Sequence, residues 1–248
     1  MKDYFFKYCC KLLILLGFIA TFSAAYAQDE IEEEDDFFFF EEGQTFDDEI
    51  ADPFEPINRV VFTINDRLFR AVLSPVVKTY RLVPRPVRAS VSNFYSNLTT
   101  PLSAVNAVLQ LDVPNAGSEL SRFIVNSTIG ILGFFDPATR LGIEEDREDF
   151  GQTLGHYGVG HGFYIVLPIL SFSSFRDLGS RVGNSLLNPI NHIWDPELDD
   201  YIAFQTLDEV NDLSFNVDNY TSLYDSALDP YAFFRSAYVQ VRAGDVNK

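Results

Sequence analysis

From Asp52 onward the apolar residues recur every three or four positions, the period of one helical face. In Asn58 to Leu73 the row is Val61, Ile64, Leu68, Phe69, Val72 and Leu73. Pro86 is placed to open a second helix in its first turn, carrying Val91, Phe94, Tyr95 and Leu98. Pro101 repeats the device ahead of Leu102, Val105, Leu109 and Leu111. Ser118 is a plausible cap for a helix to Ile129, burying Leu120, Phe123, Ile124 and Ile129. Arg176 to Leu187 reads as helix, and Asp200 to Ala243 as two helices parted near Asp229-Pro230. Strand alternation is never sustained beyond a few residues, and no long repeat is visible. The expected fold class is all-α: a single domain over residues 52–248, built of many short helices joined by tight turns.

Two segments break this pattern. "IGILGFFDP" (Ile129 to Pro137) is interrupted by Gly130 and Gly133, each costing a helix about 1 kcal/mol relative to alanine. "FGQTLGHYGVGHGFYIVLP" (Phe150 to Pro168) holds Gly151, Gly155, Gly158, Gly160 and Gly162 with His156 and His161, then turns apolar. Both apolar runs are too short to span a bilayer. They serve either as core or as interfacial segments dipping into one leaflet, with Tyr157 and Tyr164 at headgroup depth.

The N-terminus changes the picture. Lys2, Lys7 and Lys11 precede the apolar run Leu12 to Phe22, and Ala25-Tyr26-Ala27 supplies small residues for a signal peptidase, so residues 1–27 read as a cleaved signal peptide. Cys9 and Cys10 lie ahead of that run, leaving no cysteine after the junction for acylation, disulfides or thiol chemistry. Residues 28–51 form an acidic leader, read as disordered; Phe37 to Phe40 within it either dock on a partner or bilayer or act as a plain tether. The formal net charge is −18, and residues 53–248 carry 22 acidic and 15 basic side chains. No basic stripe exists to neutralise phosphates in series, which argues against a nucleic-acid partner.

Candidate chemistry fails on spacing. The glycines do not reproduce G-x-G-x-x-G, and no strand within a βαβ unit precedes them. His156 and His161 stand five apart with no intervening glutamate, unlike the i, i+4 pair of H-E-x-x-H; completing a site would need His192 with Asp149, Asp177 or Asp195. G-x-S-x-G is absent, and the carboxylates from Glu144 to Asp149 read as a solvated turn. Neither enzyme activity, nor a cofactor, nor a metal is expected.

Five blocks in fixed order carry a resemblance. "DPFEPINRVVFTIND" (Asp52 to Asp66), "VRASVSNFYSNLTTPLSAVNAVLQ" (Val87 to Gln110), "RFIVNSTIGILGFFDPA" (Arg122 to Ala138), "DFGQTLGHYGVGHGFYIVLP" (Asp149 to Pro168) and Arg176-Asp177, with a weaker echo at Asp229 to Tyr238, resemble the MlaA (VacJ) family of phospholipid-transport proteins. The resemblance implies a helical, ring-like protein in the inner leaflet of the Gram-negative outer membrane, often beside a trimeric porin. Phospholipid misplaced in the outer leaflet would descend through an amphipathic passage and pass to a soluble periplasmic carrier. Such proteins commonly bear a lipidated cysteine after the signal, which the Ala27-Gln28 junction lacks; an alternative is a soluble periplasmic lipid-binding or scaffold protein.

By that resemblance Asn58, Asn65, Asp66, Asn93, Asn97, Asn106 and Asn126 become candidates for the passage lining, although asparagines on apolar helices equally cross-link neighbours. Ile131, Leu132, Phe134 and Phe135 are expected to form a membrane hairpin or gate. Phe163, Tyr164, Ile165, Val166 and Leu167 are expected in the apolar belt, with the glycines before them acting as a hinge and the two histidines as structural or interfacial residues.

Overall fold

The computed structural model describes residues 50–168, 171–189 and 198–247. The signal peptide and the leader to residue 49, as well as His192 and Asp195, lie outside the described residues. Among the described residues the regular structure is helical apart from one small hairpin. The first helical run comprises α1 (Glu55–Leu68), a π-helical stretch (Phe69–Leu73) and α2 (Ser74–Tyr80). Next come α3 (Arg85–Leu109), α4 (Val113–Thr128) and the single turn α5 (Pro137–Arg140). The segment α6 (Phe150–His156), β1 (Tyr164–Leu167), β2 (Ser171–Ser174) and α7 (Phe175–Leu187) follows. The chain ends in α8 (Leu198–Ser226) and α9 (Pro230–Val246).

Local chemistry explains most of the boundaries. Asp112, Asp136, Asp149, Ser174 and Asp229 each accept a backbone N–H from the first turn of the helix that follows. At Asp149 the bond is reciprocal: the Gln152 side chain accepts the Asp149 N–H, forming a capping box. The division of the C-terminal region at Asp229-Pro230 is as the sequence predicts. Pro101 is different: it lies inside the 25-residue α3 rather than opening a new helix. Flanking turns packed against α4 hold the helix through the one missing N–H. Ser118 is likewise interior to α4, whose cap is Asp112.

The strands are a second departure. Tyr164 to Leu167 pairs antiparallel with Ser171 to Ser174, Tyr164 opposite Ser174 and Val166 opposite Phe172. "YIVL" carries no polar alternation, so period-two patterning misses it. The neighbouring backbone extends the sheet: Tyr164 N–H donates to the Ala51 carbonyl at 2.9 Å, so Ala51 belongs with the fold rather than with the leader.

Contacts between elements form a closed circuit. The first helical run leads from α1 through the π-helical stretch to α2; α2 packs on α8, α8 on α3, α3 on α6, α6 on α7, α7 on β2, β2 on β1, and β1 on α1. Two aromatic-rich clusters sit on this path. Phe62, Tyr164, Val166 and Tyr231 form one, with Phe172, Tyr224 and Phe234 packed around it; Phe69, Val77, Val210 and Val217 form the other.

Candidate functional site

The distribution of polarity is unusual for a water-soluble domain. Arg88, Asn97, Asn106, Glu119, Arg122, Asn126, Arg176 and Asn211 are buried. Meanwhile one row along the first helical run, Ile57, Val60, Ile64, Leu68, Val72 and Val76, is 38–62% exposed. Apolar faces continue outward on α4 at Leu120 and Ile124, on the following loop at Ile129, Ile131 and Leu132, and on α7 at Val182 and Leu186. Contiguous exposed apolar surface of this kind marks a protein or membrane contact. Among the described residues no helix is long and apolar enough to cross a membrane.

The buried polar groups bind neighbouring side chains and backbone, while Asn97, Glu119, Arg176 and Asn211 each keep one atom without a hydrogen-bond partner. Arg122 donates to Asp136 at 2.8 Å, to the Ile143 carbonyl at 2.6 Å and to Thr139 at 3.1 Å. Arg242 of α9 bridges Asp149 and Asp177 at 2.9 Å each, joining α6 and α7. Burial opposes ionisation of Asp177, but hydrogen bonds from Arg242 and Tyr238 outweigh it and hold the carboxyl below its usual range.

A polar trough runs beside this frame. Ser92, Ser96, Thr99 and Ser103 succeed one another along a single face of α3. Ser103 Oγ accepts the Glu148 N–H at 2.8 Å, Ser96 donates to Glu145 at 3.2 Å and accepts from Arg147, and Ser92 donates to Asp212 of α8 at 3.5 Å. At one end the row opens into a cavity of about 370 Å³ bounded by Thr99, Ser103, Arg147, Gln152, Arg242 and Asp245 among others. At the other end stand Asp208, Glu209 and Asp212. Desolvation, with Asp212 and Glu209 adding repulsion and Arg147 opposing, raises Asp208 to about 6; desolvation first also raises Glu209 and Asp212. Glu209 and Asp212 are exposed, and Asp212 meets the hydroxyl row through Ser92.

A family model described as MlaA lipoprotein matches residues 50–245. The chain belongs to the MlaA lipoprotein family. The intermembrane phospholipid transport system lipoprotein MlaA of Shigella flexneri is 33% identical, over 77% of this chain and 76% of its own length. Its namesake in Escherichia coli (strain K12) is 32% identical over the same shares. An uncharacterised protein of Rickettsia conorii is 36% identical over 80% of this chain and 79% of its own. A chain solved in work on the structural basis for maintenance of bacterial outer membrane lipid asymmetry superposes with a TM-score of 0.72 at 31% identity, covering 79% of this chain and 99% of that one.

Within this MlaA-family fold, most residues expected to line the passage serve as cross-links instead. Asn58 is buried and donates to the Tyr164 carbonyl at 3.1 Å and to Asp52 at 2.8 Å, while accepting the Val166 N–H at 3.0 Å. Asn65 donates to the Leu167 carbonyl at 2.8 Å, and Asp66 accepts from Arg70 at 2.9 Å. Asn97 donates to Ser127 at 2.9 Å, Asn106 accepts from Thr153 at 3.1 Å, and Asn126 binds Asp136 and the Ala138 N–H. Asn58, Asn106 and Asn126 are thus taken up by neighbouring elements, whereas Asn65 is half-buried and Asn97 Oδ1 has no hydrogen-bond partner. Asn93 is half-buried on α3. The hydroxyl row and the α8 carboxylates were missed: serine and threonine at helical spacing carry no motif, and the acidic run on α8 resembles a solvated face.

The belt expectation also needs correction. Tyr164 and Val166 are buried, because alternate residues of β1 face the core beneath Phe62 and Tyr231. Ile165 and Leu167 are half-buried and Phe163 is exposed, in contact with Phe54 and Phe175. Of the hairpin residues, Ile131 and Leu132 project outward, Phe134 is also exposed while stacking on Phe94 with centroids 5.0 Å apart, and Phe135 is half-buried. His156 is exposed against Tyr157, and the His161 carbonyl accepts the Arg176 N–H at the start of α7.

Proposed function

We propose that this protein resides at the periplasmic face of the outer membrane, its outward apolar faces in the inner leaflet, and conducts phospholipid from the outer leaflet to the periplasm. The single observation that carries this reading is the reversal of polarity: exposed aliphatic rows lie on a closed circuit of helices that buries charged and hydroxylated groups beside its two apolar clusters. A phospholipid has a charged head and two apolar tails, so a polar trough within an apolar rim matches both ends. The relatives named as intermembrane phospholipid transport lipoproteins support the same role. No bond is made or broken in it. A trimeric porin beside the outer faces and a soluble periplasmic carrier below the trough complete the proposed route. With no cysteine after Ala27, attachment rests on the aliphatic rows, since a lipid chain would otherwise contribute about 0.8 kcal/mol per buried methylene.

Fractionation after a high-salt wash tests the placement. Recovery with the outer membrane is expected; complete release into the periplasmic extract would favour the soluble lipid-binding or scaffold alternative.

A further inference from the structure

The first helical run passes from α1 through the π-helical stretch into α2 without a break. Ser74 N–H donates to the Phe69 carbonyl, five residues back rather than four. Pro75 comes next. In a regular α-helix it would forfeit a hydrogen bond and press its ring on the Ala71 carbonyl, so the widened turn is what lets the helix continue through it.

The same turn keeps the outward aliphatic row straight. From Val60 the exposed positions advance in steps of four, through Ile64, Leu68 and Val72 to Val76. Residues of an α-helix turn by about 100° each, so these four steps would drift by about 160° and carry Val76 nearly to the opposite side. A π turn takes in one extra residue and withdraws about 100° of that drift. Burial on the other face agrees: Phe62 ahead of the turn, Phe69 within it and Val77 beyond it are all buried in the two apolar clusters.

Charge along the run indicates what the row meets. Residues 55–80 carry four basic and two acidic side chains, the reverse of the balance over residues 53–248. Arg67 is exposed and stands beside Ile64 and Leu68. An aliphatic strip bordered by a long-stemmed cation suits acyl chains beneath a layer of phosphates.

We propose, resting on the membrane placement, that the π turn before Pro75 aligns Val60, Ile64, Leu68, Val72 and Val76 into one strip that lies along the acyl boundary of the leaflet, with Arg67 at phosphate depth. Both halves of the run then lie in the interfacial plane together. A plain α-helix would turn Val76 away from the bilayer that Val60 meets.

The test uses the full-length chain with Cys9→Ser and Cys10→Ser, which leaves it free of cysteine. On that background Val60→Cys, Ile64→Cys, Leu68→Cys, Val72→Cys and Val76→Cys each carry a fluorophore, read in vesicles of phosphatidylethanolamine and phosphatidylglycerol containing depth-graded quenchers. All five labels are expected at the same acyl depth. Val60→Ser and Val76→Ser should each weaken vesicle association by about tenfold, the ratio for one aliphatic side chain leaving the acyl layer. Deleting Ala71 together with Pro75→Ala removes the extra residue without rotating α2, so the label at residue 76 should keep its depth. Acyl depth at residues 60–68 with aqueous labels at 72 and 76 overturns the alignment and leaves the membrane placement standing. Displacement of the label at residue 76 in the shortened variant, with the upstream labels unmoved, also overturns it. Aqueous labels at all five positions overturn the membrane placement itself.

Discussion

The carboxamide of Asn58 accepts the backbone N–H of Val166 at 3.0 Å and donates to the carbonyl of Tyr164 at 3.1 Å. One side chain from α1 thus satisfies both backbone groups along an edge of β1, where a third strand would otherwise be required. Asn58→Ala leaves a buried donor and a buried acceptor unpaired, at a cost of about 2–3 kcal/mol. The denaturation midpoint in detergent should fall accordingly. A midpoint equal to that of the unaltered protein would remove Asn58 from the frame.

Ile131 and Leu132 both occupy the left-handed region, at φ 53° and 59°, and both are exposed. For a β-branched residue this conformation costs about 1–2 kcal/mol, and strain kept at an exposed apolar tip points to use there. Ile131→Gly should raise the unfolding midpoint while weakening association with vesicles of phosphatidylethanolamine and phosphatidylglycerol. Lower stability in that variant would show that no strain is stored at the tip.

Glu119 is fully buried on α4, with Oε1 accepting the Asp146 N–H at 3.1 Å and Oε2 lacking a partner. Desolvation raises its pKa; the Asp146 N–H, Ser103 and Arg122 oppose this, and Glu145 reinforces it. A carboxyl whose folded pKa is raised contributes most below its unfolded value, near 4.3, and loses that contribution as pH rises through the folded one. Glu119→Gln keeps an acceptor for Asp146 without the charge. Relative to the unaltered protein its melting midpoint should therefore gain on going from pH 5 to pH 8. An identical difference at both values would mean that Glu119 does not titrate in this range.

Much of the fold was legible in particular residues. Asp229-Pro230 marked the α8–α9 break because proline and its preceding residue resist helical continuation, and the i, i+3, i+4 row of α1 marked its helix. Gly133, at φ 90° with Asn97 Cβ 2.4 Å from where its own Cβ would stand, is the turn that the glycine-broken run suggested. What stayed hidden depended on contacts distant in sequence. Asn58 and Asn126 are cross-links only because β1 and α5 come to lie against them. Pro101 remained within a helix because α4 packs along α3, and Asp208 acquires its raised pKa from desolvation in the packed fold, with Asp212 and Glu209 adding repulsion. The aliphatic row of α1 was visible as periodicity, but on α4 Leu120, Ile124 and Ile129 were expected to be buried and are exposed.

Filling the trough while sparing the apolar rim tests the central claim most directly. Ser96→Trp with Thr99→Trp places two indoles on the hydroxyl face of α3 beside Arg147. The readout is phospholipid in the outer leaflet of intact cells, alongside recovery of the variant in the outer membrane. The account predicts normal recovery with surface phospholipid raised to the level of cells lacking the protein. Normal recovery with surface phospholipid as low as in unaltered cells would contradict it.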